Sequence, residues 1–416
     1  MEITSLISAA VSLSAISGIT LLCLSRYLTF FFFFCYTLPF LPLIASIFGA
    51  DSEFWTGDSF SFAASSIQVY GLTLVWLFSS FGMLAAFLTC RSKINKRFRL
   101  AVRVGHRTHL DLSIKRRNIL VKMVFSILTI AVIARFFFAA KIEVAFPGMD
   151  PLICYIFVFC WAIVIADPDK RSFIYLAAIT TAYVTSQLIS GDRDFFTFIF
   201  ALGLLWMVRN KVKFSLLLKI GLIGLSLVIF GTIISMVRME IEFSFDQLLV
   251  FLRFNSWNAI ILPVLSMIEA EWLSGPMLYG KTYVDLLLSA LPSPIYHFFN
   301  LTKPINLDNP ADWYYIEGLG GLHVSGVALR NFGLVGVFMQ SMLFTVGLML
   351  TENMVLARTS GLRLFLFLVI ATSIMHTIWY GLIYLVNAMT FYIATIALIY
   401  VFILLKQTSA RSYKYH

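Results

Sequence analysis

The stretch from Ile67 to Cys90 reads IQVYGLTLVWLFSSFGMLAAFLTC and carries no charge. The next residue is Arg91, the first of ten Lys and Arg residues between Arg91 and Arg117. A run of this length exceeds the roughly 20 apolar residues needed to cross a hydrocarbon core of about 30 Å. The basic cluster after it is a topology signal, because Lys and Arg concentrate on the cytoplasmic side of membrane proteins and sit against anionic headgroups. This one stretch therefore predicts both a span and its direction.

Similar runs recur along the whole chain. Of 416 residues, 60% are hydrophobic, 12% are charged and 41 are Phe. A soluble domain carries roughly twice that charge fraction. Backbone polar groups in hydrocarbon must be satisfied internally, so the runs must be helices, and the period-2 alternation of a membrane barrel is absent. The reading is an all-α polytopic membrane protein with about eleven spans. They fall near 4–24, 28–49, 67–90, 119–140, 152–166, 172–190, 194–208, 214–236, 334–356, 364–384 and 388–405.

Charge sets the orientation. Arg26, the Arg91–Arg117 cluster, Lys170, Arg171, Arg209, Lys211, Lys213, Arg358, Arg363, Lys406, Arg411 and Lys414 fall on one set of loops, predicted to be cytoplasmic. The N-terminus is then outside, and the tail 406–416 is cytoplasmic. Glu2 and the lack of a basic leading region argue against a cleaved signal peptide. The chain divides into spans over 1–236, a large external loop over 237–333 and three more spans over 334–405. Within the loop, Gln247 to Ile268 predicts a helix that lies at the surface or dips in, since it carries Arg253, Asn255, Asn258 and Pro263. Tyr283 to Phe299, broken at Pro292-Ser293-Pro294, also reads as interfacial.

The net charge of +10 follows this topological pattern and does not indicate nucleic-acid binding. Cys23, Cys35, Cys90, Cys154 and Cys160 lie in or beside apolar segments without metal-ligand spacing. Asp167-Pro168-Asp169 reads as a cytoplasmic turn. In Asp192-Arg193-Asp194 the intervening Arg opposes a cation. Neither is assigned a metal, and no cofactor is expected.

Basic residues on the outer half need an explanation, because they defy the charge rule. They are Arg135, Lys141, Arg193, Arg238, Arg253, Lys281, Lys303 and Arg330. Arginine stays charged and offers a planar fork of donors that suits phosphate oxygens. A cluster of them at the outer surface suits a lipid-linked pyrophosphate. The plainer account is snorkelling or pairing, as of Arg193 with Asp192 or Asp194 and Arg238 with Glu240 or Glu242. Glycosyl transfer needs a proton acceptor, and outer-loop groups of that kind are Glu240, Asp246, Asp308, Asp312, Glu317 and His323. The catalytic candidates are His323, Glu240 and Asp192. His323 follows Gly318-Leu319-Gly320-Gly321-Leu322, which reads either as an anion-approaching backbone or as a flexible re-entry turn. His376, mid-membrane near Trp379 and Tyr380, reads as a core histidine.

Three blocks carry a family resemblance. They are Ser190-Gly191-Asp192-Arg193 at a helix entrance; Tyr279-Gly280-Lys281-Thr282-Tyr283 with Leu291-Pro292 and Lys303-Pro304; and Gly320-Gly321 and Ser325 with Asn331-Phe332-Gly333-Leu334-Val335-Gly336. In order and placement they resemble the O-antigen polymerase family, the Wzy-type oligosaccharide repeat-unit polymerases. Where many members carry an acidic residue, this chain has Val327, Ala328 and Leu329 before Arg330. The resemblance implies a lipid-dependent, GT-C-like glycosyltransferase of the bacterial plasma membrane. It implies growth of a glycan on undecaprenyl-diphosphate-linked repeat units, with Arg193, Arg238, Arg253, Arg330 and Lys281 on the diphosphate. It also implies a flippase and a chain-length regulator as partners, with membrane lipids around the spans. The O-antigen ligase shares the layout, and a flippase for lipid-linked sugars is the non-enzymatic rival. A reporter fused near Asn309 is expected to register an external location; a cytoplasmic signal would break the clustering of outer cations.

Overall fold

The computed structural model describes residues 3–48, 53–55, 61–104, 125–133, 149–166, 169–189, 195–210, 226, 229–230, 232–233, 236, 243–245, 247–248, 260–270, 277–289, 291, 293–302, 321–357 and 361–412. Its elements are α1 Ile3–Cys23, α2 Tyr27–Thr37, a short hairpin of β1 Glu53–Trp55 and β2 Ser61–Ala63, and α3 Ser66–Val104. Next come α4 Met149–Ala166, α5 Lys170–Ile189, α6 Phe195–Asn210, α7 Leu262–Ala270, α8 Lys281–Ser289 and α9 Ser293–Phe298. The chain closes with α10 Val324–Ala357, α11 Gly361–Tyr380 and α12 Ile383–Ser412. The architecture is that of an all-α membrane protein with one small antiparallel hairpin.

Among the described residues six stretches are long and apolar enough to cross a membrane: Ile3–Cys23, Tyr27–Phe48, Ser66–Thr89, Val324–Leu356, Gly361–Tyr380 and Ile383–Val401. Ile153–Ala166 and Thr197–Asn210 are shorter apolar helices. The expected spans at 119–140 and 214–236 lie largely outside the described residues, although 125–133 is helical.

Local chemistry explains several boundaries. Ser65 and Gln68 form a reciprocal cap at the start of α3: the Ser65 N–H donates to Gln68 Oε1 at 2.8 Å, and the Gln68 N–H donates to Ser65 Oγ at 3.3 Å. At its other end α3 runs 39 residues, about 58 Å at 1.5 Å per residue. It does not stop at Cys90, and the first half of the basic cluster, read as loop, continues the helix to Val104. The α2 helix passes into a 3₁₀ helix at Leu38–Phe48, where Pro39 and Pro42 lack the N–H groups an α-helix would need.

Basic residues gather at one end of the bundle. Arg26 joins α1 to α2 and bonds Asn353 near the end of α10. Gly361, at the start of α11, lies against Ala166 at the end of α4, next to Lys170 and Arg171 of the following helix. The opposite end carries the turns toward residues 260–302 and is called the loop end below.

Glu352 ties the basic end together. Arg26 occupies the N-cap of α2 without a capping side chain, and Glu352, 1% exposed, fills that role from α10. Its Oε1 accepts the Leu28 N–H at 2.7 Å and the Thr29 N–H at 3.4 Å; its Oε2 accepts the Thr29 hydroxyl at 3.1 Å. Arg26 lies 3.8 Å from Oε2 and donates to Asn353 Oδ1 at 2.7 Å. The carboxylate meets the positive end of the helix dipole and its unmatched donors.

The α10 element is not one rod. Phe332 (φ −141°, ψ 18°) and Gly333 (φ 58°, ψ −150°) break it. The Gln340 Nε2 donates to the Val324 carbonyl at 3.1 Å, yet 16 residues of straight helix would separate them by about 24 Å. A Cβ on Gly336 would overlap the carbonyl of Ala328. The element is therefore a hairpin: a short arm, 324–331, folds back against a long arm, 334–357. The long arm coincides with the ninth expected span. The short arm, read as external loop, is buried inside the bundle: Val324, Ser325, Val327, Ala328 and Asn331 are at most 1% exposed.

The two loop segments read as interfacial differ from each other. The described part of the first, α7, is buried from Leu262 to Ile268 between α3 and α10, so it dips in and does not lie on the surface. The second forms α8 and α9, and the break expected at Pro292-Ser293-Pro294 falls between Ser289 and Ser293. Val284, Leu287, Leu288, Phe298 and Phe299 are exposed there, as an interfacial segment requires.

Glu352→Ala is expected to cost about 3 kcal/mol, by stranding Arg26 and the α2 donors, and Glu352→Gln clearly less. Thermal unfolding of the purified protein measures both; equal melting temperatures for Glu352→Ala and the native chain would remove Glu352 as the lock.

Candidate functional site

The fold brings two of the sequence blocks into contact at the loop end. Residues Arg330 and Asn331 end the short arm, so their carbonyls have no helical partner beyond the turn. The Leu278 N–H donates to the Arg330 carbonyl at 3.2 Å, and the Tyr279 N–H donates to the Asn331 carbonyl at 3.1 Å. The Gly280 N–H donates to Asn331 Oδ1 at 2.9 Å. Asn331 Nδ2 donates to the Val327 carbonyl at 2.8 Å and to the Thr282 hydroxyl. The Tyr283 hydroxyl donates to Gln340 Oε1 at 3.0 Å, and its ring stacks on Phe332.

Residues Leu278 to Lys281 make a tight turn closed by the Lys281 N–H on the Leu278 carbonyl at 2.9 Å. Tyr279 (φ 44°) and Gly280 (φ 90°) are both left-handed, the pattern of a type I′ turn. Glycine meets that demand at Gly280. Tyr279 does not, and its strain is held by the bond to Asn331. The clasp thus presents Lys281, exposed, and Arg330, half-buried, from one hydrogen-bonded unit. Tyr279 is 78% and Phe332 43% exposed beside them. Lysine and arginine are the side chains suited to an anion, and here their backbone positions are tied together, with the Nε and Nη1 of Arg330 turned into the protein.

His323 is placed elsewhere, at the deep end of the short arm, and is 0% exposed. Its Nε2 lies 3.1 Å from the Tyr36 carbonyl and its Nδ1 2.6 Å from Ser325 Oγ. A carbonyl only accepts, so Nε2 carries the proton and Nδ1 accepts the Ser325 hydroxyl. The Tyr36 hydroxyl bonds Ser79 and Ser325, while the rings of Tyr36 and Phe40 meet the imidazole edge-on. His323 was expected as a catalytic group in an outer loop. Both its nitrogens are engaged, it has no exposed face, and it joins α2, α3 and the short arm. Of the glycine-rich approach, Gly318 to Gly320 lie outside the described residues, and Gly321 is described. A Cβ on Gly321 would come within 2.8 Å of Ile260 and 2.9 Å of the Trp379 carbonyl. The glycine permits close packing while the Leu322 and His323 N–H groups bond the Trp379 and Ile260 carbonyls, each at 2.9 Å.

Arg193, Arg238, Arg253, Glu240 and Asp192 lie outside the described residues, as do Arg135, Lys141, Lys303, Asp246, Asp308, Asp312 and Glu317. His376 is half-buried and stacks with Tyr380 and Tyr384. Asp169 caps α5, accepting the Ser172 N–H at 3.0 Å and its hydroxyl at 2.8 Å. The backbone N–H, then the hydroxyl, hold its carboxyl below the usual carboxylate range. Among the described residues no three His, Cys, Asp or Glu side chains gather as for a metal.

Three residues escaped the sequence reading: Asn331 as the centre of the clasp, Glu352 as the lock, and Glu269. The last is an exposed carboxylate at the loop end whose Oε2 accepts Gln68 Nε2 at 2.8 Å. The Asn-Phe-Gly step itself, an amide followed by a residue free to take positive φ, is the signal that could have marked the turn. Comparison of the chain with known protein families, with curated proteins and with solved structures gives no match.

His323→Ala is expected to lower stability by about 2–4 kcal/mol through lost packing and stranded partners. His323→Gln, which keeps a donor and an acceptor, should retain the pH dependence of any product formation. Loss of that dependence in the glutamine variant, at native melting temperature, would return His323 to the chemistry.

Proposed function

We propose that this chain is a glycosyltransferase of the bacterial plasma membrane, with eleven spans, a GT-C-like layout, the loop end external and the C-terminus cytoplasmic. It joins undecaprenyl-diphosphate-linked oligosaccharide repeat units into a surface polysaccharide. The observation that carries this reading is the clasp. Two blocks about 50 residues apart, each resembling a block of the polymerase family, meet in one hydrogen-bonded unit that carries Lys281 and Arg330 at the loop end.

In the reaction, an acceptor hydroxyl attacks the anomeric carbon of the growing chain. The bond to the diphosphate oxygen breaks, and the diphosphate leaves on its carrier lipid. Cations facing that diphosphate stabilise the charge as it develops. Lys281 and Arg330 serve this role, joined by Arg193, Arg238 and Arg253. Glu240 and Asp192 remain candidates for the proton acceptor. The flippase and the chain-length regulator act before and beside this step.

The test is a gel profile of surface and lipid-linked glycans from cells lacking the gene. Glycan capped with a single repeat unit, in place of a ladder, is expected; the native gene should restore the ladder and Arg193→Ala should not, at equal membrane levels. Long chains left on the carrier lipid would instead indicate a ligase, and single units held at the inner face a flippase. A normal ladder from Arg193→Ala would remove Arg193 from the site.

A further inference from the structure

The bonds of the clasp converge on Asn331, which is 0% exposed. Its carboxamide accepts once and donates twice, and its carbonyl accepts once more. Arg330 is set by the short arm it ends, and Lys281 by the turn that begins α8. The bonds through Asn331 and the neighbouring Leu278 N–H tie that arm to that turn. An amide is suited to the place because one planar group must offer an acceptor and two donors at once. Aspartate would set acceptor against the Val327 carbonyl; alanine would leave the Gly280 N–H and the Thr282 hydroxyl without this partner.

We infer that Asn331 is the positioning residue of the anion site: it touches no substrate, but fixes Lys281 and Arg330 relative to each other so that both engage one lipid-linked diphosphate. This rests on the proposed function, and deepens it by naming what sets the geometry of the clamp. Thr282 is the second member of the device and Gly280 the third. At Gly280, φ is 90° and an added Cβ would meet Phe332 at 3.1 Å, so alanine there shifts the turn without touching either cation.

Binding of radiolabelled undecaprenyl diphosphate to the full chain in lipid nanodiscs tests the inference without requiring turnover. Lys281→Ala and Arg330→Ala should each weaken binding about ten-fold, the scale of one charge-assisted contact. Asn331→Ala should weaken it by ten-fold or more. In a chain already carrying Lys281→Ala and Arg330→Ala, adding Asn331→Ala should change the Kd less than about two-fold, because a residue that acts through the cations has nothing left to position. Thr282→Val and Gly280→Ala should give intermediate losses at near-native melting temperature, and they carry the test if Asn331→Ala fails to fold. An unchanged Kd in these variants, or an undiminished Asn331→Ala penalty without the cations, would overturn the inference. So would a native chain that does not bind the diphosphate, even if it makes polymer. Clasp-dependent binding in a chain that makes no polymer would overturn the polymerase reading and leave the positioning role standing.

Discussion

Away from water, a backbone N–H or carbonyl without a partner is costly, and helices are the usual escape. This protein interrupts a helix inside its bundle and must repay each interruption with a named bond. At the turn of α10, the carbonyls of Arg330 and Asn331 are taken by Leu278 and Tyr279. At the deep end of the short arm, the Leu322 and His323 N–H groups reach the carbonyls of Trp379 and Ile260. Irregular backbone at membrane depth is tolerated only when buried in protein or lining a cavity, and here both ends of the arm are met by chain from elsewhere. The turn before α8, the entry to α7 and the exit from α11 are therefore all bound to this arm or to the two residues that lead into it.

The α2 helix gives that hairpin its frame. At the basic end its first donors end on Glu352 of the long arm. Midway, the rings of Phe32 and Phe344 meet at 5.2 Å. At the other end the Tyr36 carbonyl receives His323, and its hydroxyl reaches Ser325. In sequence the residues facing α2 fall in the order 352, 344, then 323 and 325. The last step skips about 20 residues where a continuous antiparallel helix would use four. The fold-back closes that gap by returning the start of the short arm to the depth of Gln340. Polar contacts at the two ends specify register, while the apolar middle supplies non-directional attraction.

What the sequence reveals here depends on the range of the interaction. A charge-free run such as Ile67 to Cys90 reports its own fate, because crossing the bilayer is a property of one segment. The alternation of basic loops is likewise local: Arg26, Lys170 and Arg171 share one end of the bundle, while Lys281 and Arg330 lie at the other. The short arm is different. Val324 to Asn331 is too brief to read as a span, and its burial is imposed by partners some 60 residues away, at Ile260 and Val264, and by Trp379 beyond the next helix. His323 is the clearest case. A titratable group in an apparent external loop looks catalytic, yet the fold-back that buries it leaves no mark on its neighbours. The helical continuation of α3 through its basic segment was also hidden, because a charge cluster signals a side of the membrane and not a backbone conformation.

Where cations sit on such a device, their chemistry inherits its rigidity. Lysine and arginine on a free loop lose both backbone and rotamer freedom when they close on an anion, roughly 1–2 kcal/mol for each residue's backbone alone. Lys281 and Arg330 have their backbone positions set during folding by the same bonds that satisfy the broken helix. An anion held by both, as proposed, would then have only side chains left to order. A turn needed to satisfy the interior thus also fixes the backbone positions from which two cations can converge on one anion. Strain at Tyr279 fits this arrangement, since a left-handed non-glycine residue persists only where surrounding contacts over-determine it. The interruption of α10 and the tethering of Lys281 to Arg330 through their backbones are two consequences of a single bonded turn.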